Sequence, residues 1–134
     1  MPKILIVDDD PDVILFLSTV LKDHGYITID ASNGREGLER AKSDHPDLIL
    51  LDLMMPKKSG IALLSDLKKN GALKEIPVIM VTGVSGETGI DLEAFFKKGA
   101  TEDPERNAFK PEGYIEKPVD PQKLLKMIKN VLSS

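Results

Sequence analysis

The sequence contains no cysteine, which removes disulfides, thiolate nucleophiles and cysteine-ligated metals without fixing a compartment. Histidine is scarce as well. His24 and His45 stand far apart in the chain beside turn residues, and they read as solvated loop positions rather than a metal-binding or catalytic pair. No apolar run reaches the length of a membrane span, and Met1-Pro2-Lys3 leads straight into a strand-like segment with no signal peptide. Positive charge is not in excess, since the formal net charge is -4 at pH 7. Neither nucleic acid nor an anionic membrane therefore gains a charge-driven hold on the chain. Repeats, low-complexity tracts and interdomain linkers are missing too. The expectation is a soluble cytoplasmic protein with no direct nucleic-acid partner and no membrane insertion.

What remains is ordinary globular material. The chain has 134 residues, of which 41% are hydrophobic and 30% charged, enough for one domain spanning 1–134 and too little for two. Apolar runs alternate with segments of helical period, the pattern of a doubly wound α/β fold. After the first run, Ile4 to Val7, Asp10 is placed to cap a helix that opens at Pro11, runs through Val13, Phe16, Leu17, Val20 and Leu21, and stops at Gly25. Tyr26 to Ala31 reads as a second strand. Gly34 to Lys42 reads as a weak helix capped by Asn33. Leu48 to Leu51 is uniformly apolar, as a central parallel strand buried on both faces must be. A third helix begins at Ser59-Gly60, a fourth strand covers Val78 to Val81, and a fourth helix is expected from Asp91 to Lys98. The fifth strand lies around Tyr114 to Glu116. A final helix, capped by Asp120 and started by Pro121, carries Leu124, Leu125, Ile128, Val131 and Leu132 on one face. Lys123, Lys126 and Lys129 lie opposite, as a solvated face.

Charge gathers at the ends of the strand-like runs. Asp8 and Asp9 end the first, Asp52 ends the third, and Lys117-Pro118 closes the fifth. The carboxyl ends of parallel strands share one edge, where ligands bind, so these groups are expected to meet. Carboxylates brought that close repel each other by roughly 1 to 4 kcal/mol per pair. A hard divalent cation such as Mg²⁺ is the natural compensation. Together with Lys117 and the hydroxyl of Thr82, which ends the fourth strand, the set has the parts that stabilise a transferring phosphoryl group, with Asp52 as the nucleophile. Each residue has a bland reading by itself. Acids at a strand end serve as helix caps, Thr82 is a turn residue, Lys117 an exposed edge residue, and Tyr114 a core or edge aromatic. Asp10 already supplies the cap, however, and the joint order and spacing are more than capping requires. Met54 and Met55 read as loop anchors because no sulfur or histidine accompanies them.

Lys3-Ile-Leu-Ile-Val-Asp-Asp-Asp10 and Asp52-Leu-Met-Met-Pro56, followed by Thr82, Tyr114 and Lys117-Pro118, resemble the receiver domain of two-component response regulators over essentially the whole chain. The resemblance implies a five-stranded parallel sheet in the flavodoxin-like order 2-1-3-4-5 with helices on both faces. It implies Mg²⁺ held by Asp8, Asp9, Asp52 and the backbone carbonyl of Met54, one of the first two acids through water. Asp52 becomes the residue phosphorylated by the phosphohistidine of a sensor histidine kinase or a histidine phosphotransfer protein. Thr82 and Lys117 contact the phosphoryl group, a cis bond precedes Pro118, and Tyr114 with Thr82 forms a switch that alters a partner-binding face.

The chain departs from that pattern between Thr82 and Lys117, where it is longer than a typical receiver. Thr101 to Gly113 reads as an insertion before strand five, a polar surface excursion holding Glu102, Glu105, Arg106 and Glu112 with Phe109 as its one large apolar residue. Lys57-Lys58 beside the site reads as solvated. Two other classes compete. An aspartyl-phosphate phosphatase of the haloacid dehalogenase type needs a second aspartate where this chain has Met54. A receiver-like interaction module that works without phosphorylation usually lacks one of the acids, the hydroxyl or the lysine, all of which are present here. The expectation is therefore a phosphoacceptor that catalyses only its own phosphorylation and dephosphorylation.

Overall fold

Five short strands form the centre of the computed structural model, which describes residues 2–52, 60–82, 112–116 and 119–133. They are β1 (Lys3–Val7), β2 (Ile27–Ala31), β3 (Leu48–Asp52), β4 (Val78–Thr82) and β5 (Gly113–Glu116), all parallel and ordered β2-β1-β3-β4-β5. This is the order that the family resemblance implies. The chain lays β2 on one side of β1 and β3 on the other, so the direction of winding reverses between β1 and β3. Side chains alternate strictly across the sheet. Ile4, Ile6, Leu48, Leu50, Ile79, Val81 and Ile115 face one layer, and Leu5, Val7, Ile49, Leu51, Val78 and Met80 face the other. Every residue of β3 is buried, as its uninterrupted apolar run predicts.

Four helices among the described residues cover the two faces: α1 (Pro11–Asp23) and α4 (Pro121–Leu132) on the first, α2 (Gly34–Asp44) and α3 (Gly60–Lys69) on the second. Their starts follow the expected chemistry. The side chains of Asp10, Asn33 and Asp120 accept from the backbone N–H groups of Asp12, Glu36 and Gln122, with proline in the first turn of α1 and α4. Gly25 takes a φ of 87°, a left-handed turn that lets the chain leave α1 for β2. His24 and His45 are exposed C-caps. The helix expected over 91–98 lies outside the described residues, as does most of 101–113.

Two local readings need adjustment. On α1, Leu17 and Leu21 are buried and Val13 and Ile14 pack beside them, but Phe16 is half-exposed and Leu15 more so. Phe16 lies about 100° round the helix from Leu17, at the border of the apolar stripe rather than within it. α2 runs two residues past Lys42 and buries only Gly34, Gly37 and Ala41. Its weak apolar pattern reflects a helix that rides close to the sheet. A Cβ on Gly37 would stand 3.0 Å from Cγ2 of Val7 and 3.2 Å from Cδ2 of Leu63.

Candidate functional site

β1 and β3 deliver their acids to one place. Asp8 follows β1 and extends its ladder by one bond, its N–H donating to the Ala31 carbonyl at 3.1 Å. The Asp8 side chain is turned by the backbone behind it: Oδ1 accepts from the Asp10 N–H at 2.9 Å. Asp10 Oδ1 accepts in turn from the Asp12 N–H at 2.9 Å, so consecutive Asx turns tie the acid to the start of α1. Asp52 is the last residue of β3, opposite Val81 of β4. A carboxylate oxygen from each of Asp8, Asp9 and Asp52 lies within 4.8 Å of the others. Asp8 is 1% and Asp52 6% exposed, while Asp9 is open to solvent.

Two carboxylates buried side by side are expensive unless something positive meets them. The donors are hard oxygens without sulfur or imidazole, and one acid is left open to water. That composition fits Mg²⁺, which takes few carboxylates and keeps several waters. No buried side-chain nitrogen or oxygen among the described residues lacks a hydrogen-bond partner.

The remaining predicted residues divide. Thr82 ends β4 at the same edge, its backbone paired with Glu116. Tyr114 sits in β5 opposite Met80, half-buried against the layer formed by α2 and α3. Met54, Lys117 and Pro118 lie outside the described residues, although Lys117 directly follows the end of β5 in sequence. Sequence reasoning assigned Asp10 a cap and missed that its amide also holds Asp8. The Asp-x-Asp spacing is the signal that carried this. It also left Glu112 to a polar loop, whereas its side chain bonds the backbone of β4. No local pattern announces that contact.

An oxygen-only acidic pocket at the winding reversal of a 2-1-3-4-5 parallel sheet defines a flavodoxin-like α/β protein with its site at the carboxyl edge. Residues 4–129 match the family model of the response regulator receiver domain. Protein PilH of Pseudomonas aeruginosa is 35% identical over 133 residues, covering 99% of both chains. A probable transcriptional regulator of Porphyridium aerugineum, ycf27, is 35% identical over 134 residues; the match takes in 97% of this chain but 48% of that protein, so the chain spans about half its length. A CheY-like receiver domain from Methanospirillum hungatei superposes with a TM-score of 0.81 at 32% identity, over 99% of this chain and 94% of that one. The chain belongs to the response regulator receiver domain family. It is a receiver of two-component signalling, a phosphoacceptor rather than an enzyme with a separate substrate, and a kinase is its general partner. The pocket of Asp8, Asp9 and Asp52 is consistent with a phosphoacceptor site. No helix among the described residues is long and apolar enough to cross a membrane.

Proposed function

We propose that Asp52 accepts a phosphoryl group from the phosphohistidine of a sensor histidine kinase or histidine phosphotransfer protein. The observation that carries this is the meeting of three carboxylates within 4.8 Å, two of them buried at the carboxyl ends of adjacent strands. An Asp52 oxygen forms the new bond to phosphorus as the bond from phosphorus to the donor's imidazole nitrogen breaks. β3 aims that oxygen, because a fully buried central strand leaves its last side chain little freedom. Asp8 and Asp9, with Asp52 and the backbone carbonyl of Met54, hold Mg²⁺, which supplies positive charge to the phosphoryl oxygens. The Thr82 hydroxyl donates to the phosphoryl group and the Lys117 ammonium pairs with it. Tyr114 then shifts its packing, and the altered face near β5 and α4 is what a downstream protein reads. The chain works as one cytoplasmic domain over 1–134, with the insertion expected at 101–113 leading into the switch strand and Pro118 in the cis form.

Intact mass after incubation with a small acyl-phosphate donor tests the reading. One added phosphoryl group is expected, dependent on Mg²⁺ and abolished in Asp52→Asn. A folded chain that binds Mg²⁺ yet gains no mass would instead make it an interaction module that works without phosphorylation.

A further inference from the structure

β5 is the shortest strand and lies at the edge of the sheet, with Gly-Tyr-Ile-Glu as its whole ladder. Register is normally fixed by an alternating apolar pattern or by a tight connection. Here Tyr114 and Ile115 are both apolar, Gly113 has no side chain, and the long stretch 83–111 separates β4 from residue 112. Neither device pins the strand.

Glu112 supplies a third. Its backbone N–H donates to the Val78 carbonyl at 2.8 Å, and its Oε2 accepts from the Val78 N–H at 2.9 Å. One residue thus engages both backbone groups that Val78 turns toward β5. The other carboxylate oxygen, Oε1, pairs with Nζ of Lys68 on α3. The Lys68 side chain is 7% exposed, so its ammonium has little water to turn to; its other hydrogen bond is a long one to the Lys74 carbonyl, at 3.5 Å. The carboxylate is therefore held by a buried cation on one side and a strand amide on the other. Immediately above it the register runs Ile79 to Gly113, Met80 to Tyr114, Val81 to Ile115 and Thr82 to Glu116.

We infer that Glu112, with Lys68 as its counter-ion, is a positioning residue: it locks the register of β5 and so sets where Tyr114 stands and from which point the chain goes on to Lys117. A one-residue slip exchanges the faces of Tyr114 and Ile115 and carries the end of β5 at Glu116, from which the chain goes on to Lys117, about 3.3 Å along β4. This rests on the proposed phosphoacceptor role of Asp52. Glu112 lies at the amino end of the sheet, away from the acids, so its effect is confined to groups borne on or beyond β5.

Two variants on a common background isolate the lock. Lys68→Met/Glu112→Gln removes both charges but keeps a side-chain oxygen for Val78, whereas Lys68→Met/Glu112→Ala removes the oxygen too. Neither leaves a buried ammonium without its partner, so folding is preserved in both. The glutamine pair is expected to gain phosphoryl mass at the wild-type rate. The alanine pair should gain it about tenfold more slowly or worse, as misplaced catalytic groups do. Its Val78 and β5 amides should exchange faster, while its Mg²⁺ affinity by calorimetric titration stays unchanged because Asp8, Asp9 and Asp52 stand at the carboxyl ends of β1 and β3. Equal phosphorylation rates in the two pairs overturn the inference, and so does an Mg²⁺ affinity that falls in step with the rate. If the wild-type chain gains no mass, the phosphoacceptor reading is the casualty. Amide exchange then decides the register lock alone: equal protection in both pairs refutes it, and faster exchange in the alanine pair upholds it.

Discussion

Asp8→Asn makes the electrostatics of the pocket measurable. Asparagine keeps the shape of the side chain and the oxygen that accepts from the Asp10 N–H, and removes one of two buried charges. The oxygens of Asp8 and Asp52 lie within 4.8 Å. At that separation two unit charges repel by about 1 kcal/mol at the dielectric of water and by about 3.5 kcal/mol at an effective value of 20. With Asp8 at 1% and Asp52 at 6% exposure, solvent does not reduce the term to the aqueous limit. In chelator, the variant is expected to be more stable than the wild type by about 1 to 3 kcal/mol, raising the midpoint of thermal unfolding by about 3 to 10 °C for a chain of this size. Mg²⁺ should narrow the gap, and at the lower end of that range reverse it. A ligand at a hundred times its dissociation constant stabilises the native state by about 2.7 kcal/mol, and the variant, with one charge fewer, binds more weakly and gains less. Thermal unfolding of both proteins in chelator and across an Mg²⁺ titration gives the answer. A variant no more stable than wild type in chelator, or an equal gain from Mg²⁺ in both, would refute the claim that the acids are held together against their own repulsion.

Gly37→Ala places a methyl group 3.0 Å from Val7 and 3.2 Å from Leu63. Overpacking of about 1 to 3 kcal/mol should outweigh the gain of up to about 1 kcal/mol that alanine brings to a helix, so the urea midpoint is expected to fall with the slope unchanged; a rise would mean that α2 has room to spare. Asp10→Ala removes the cap on the Asp12 N–H and should cost about 1 kcal/mol of stability. Its backbone amide still holds Asp8, so calorimetric Mg²⁺ affinity should stay at the wild-type value, and a fall would place the Asp10 carboxylate within the site.

Features that depend on near neighbours in sequence were readable beforehand. Asp10-Pro11, Asn33 and Asp120-Pro121 mark helix starts because capping is decided within four residues. Leu48 to Leu51 marks a central strand because only burial on both faces accounts for four consecutive apolar side chains. Asp8, Asp9 and Asp52 could be brought together on paper because parallel strands must end at a common edge. Features that depend on how closely two surfaces approach were not readable. Gly37 went unremarked within a helix read as weak, and its use appears only when Val7 and Leu63 are seen 3.0 to 3.2 Å from its missing Cβ. Phe16 fitted the apolar stripe of α1 within the tolerance of a helical wheel, yet half of it faces solvent. Glu112 bonds Val78, 34 residues away, and Lys68, 44 residues away, and nothing in the polar sequence around it distinguishes a clamp from a loop.

The same contrast divides labour within the proposed switch. The acids stand at the carboxyl ends of β1 and β3, strands flanked on both sides by ladders and covered by α1, α2, α3 and α4. Moving them would break two ladders and open both cores, so they act as a fixed frame. Tyr114 belongs to an edge strand with a single neighbour and four paired residues, and Lys117 directly follows that strand in sequence. Elements with few pairings open at the lowest free energy, and a switch needs two states that differ by only a few kcal/mol. An edge strand meets that need but invites slippage, which would move the lysine and the aromatic without any signal. A lock at the residue just before it resolves the conflict. Glu112 forbids sliding along β4 while leaving the far end of β5, where the phosphoryl group would be sensed, free to repack.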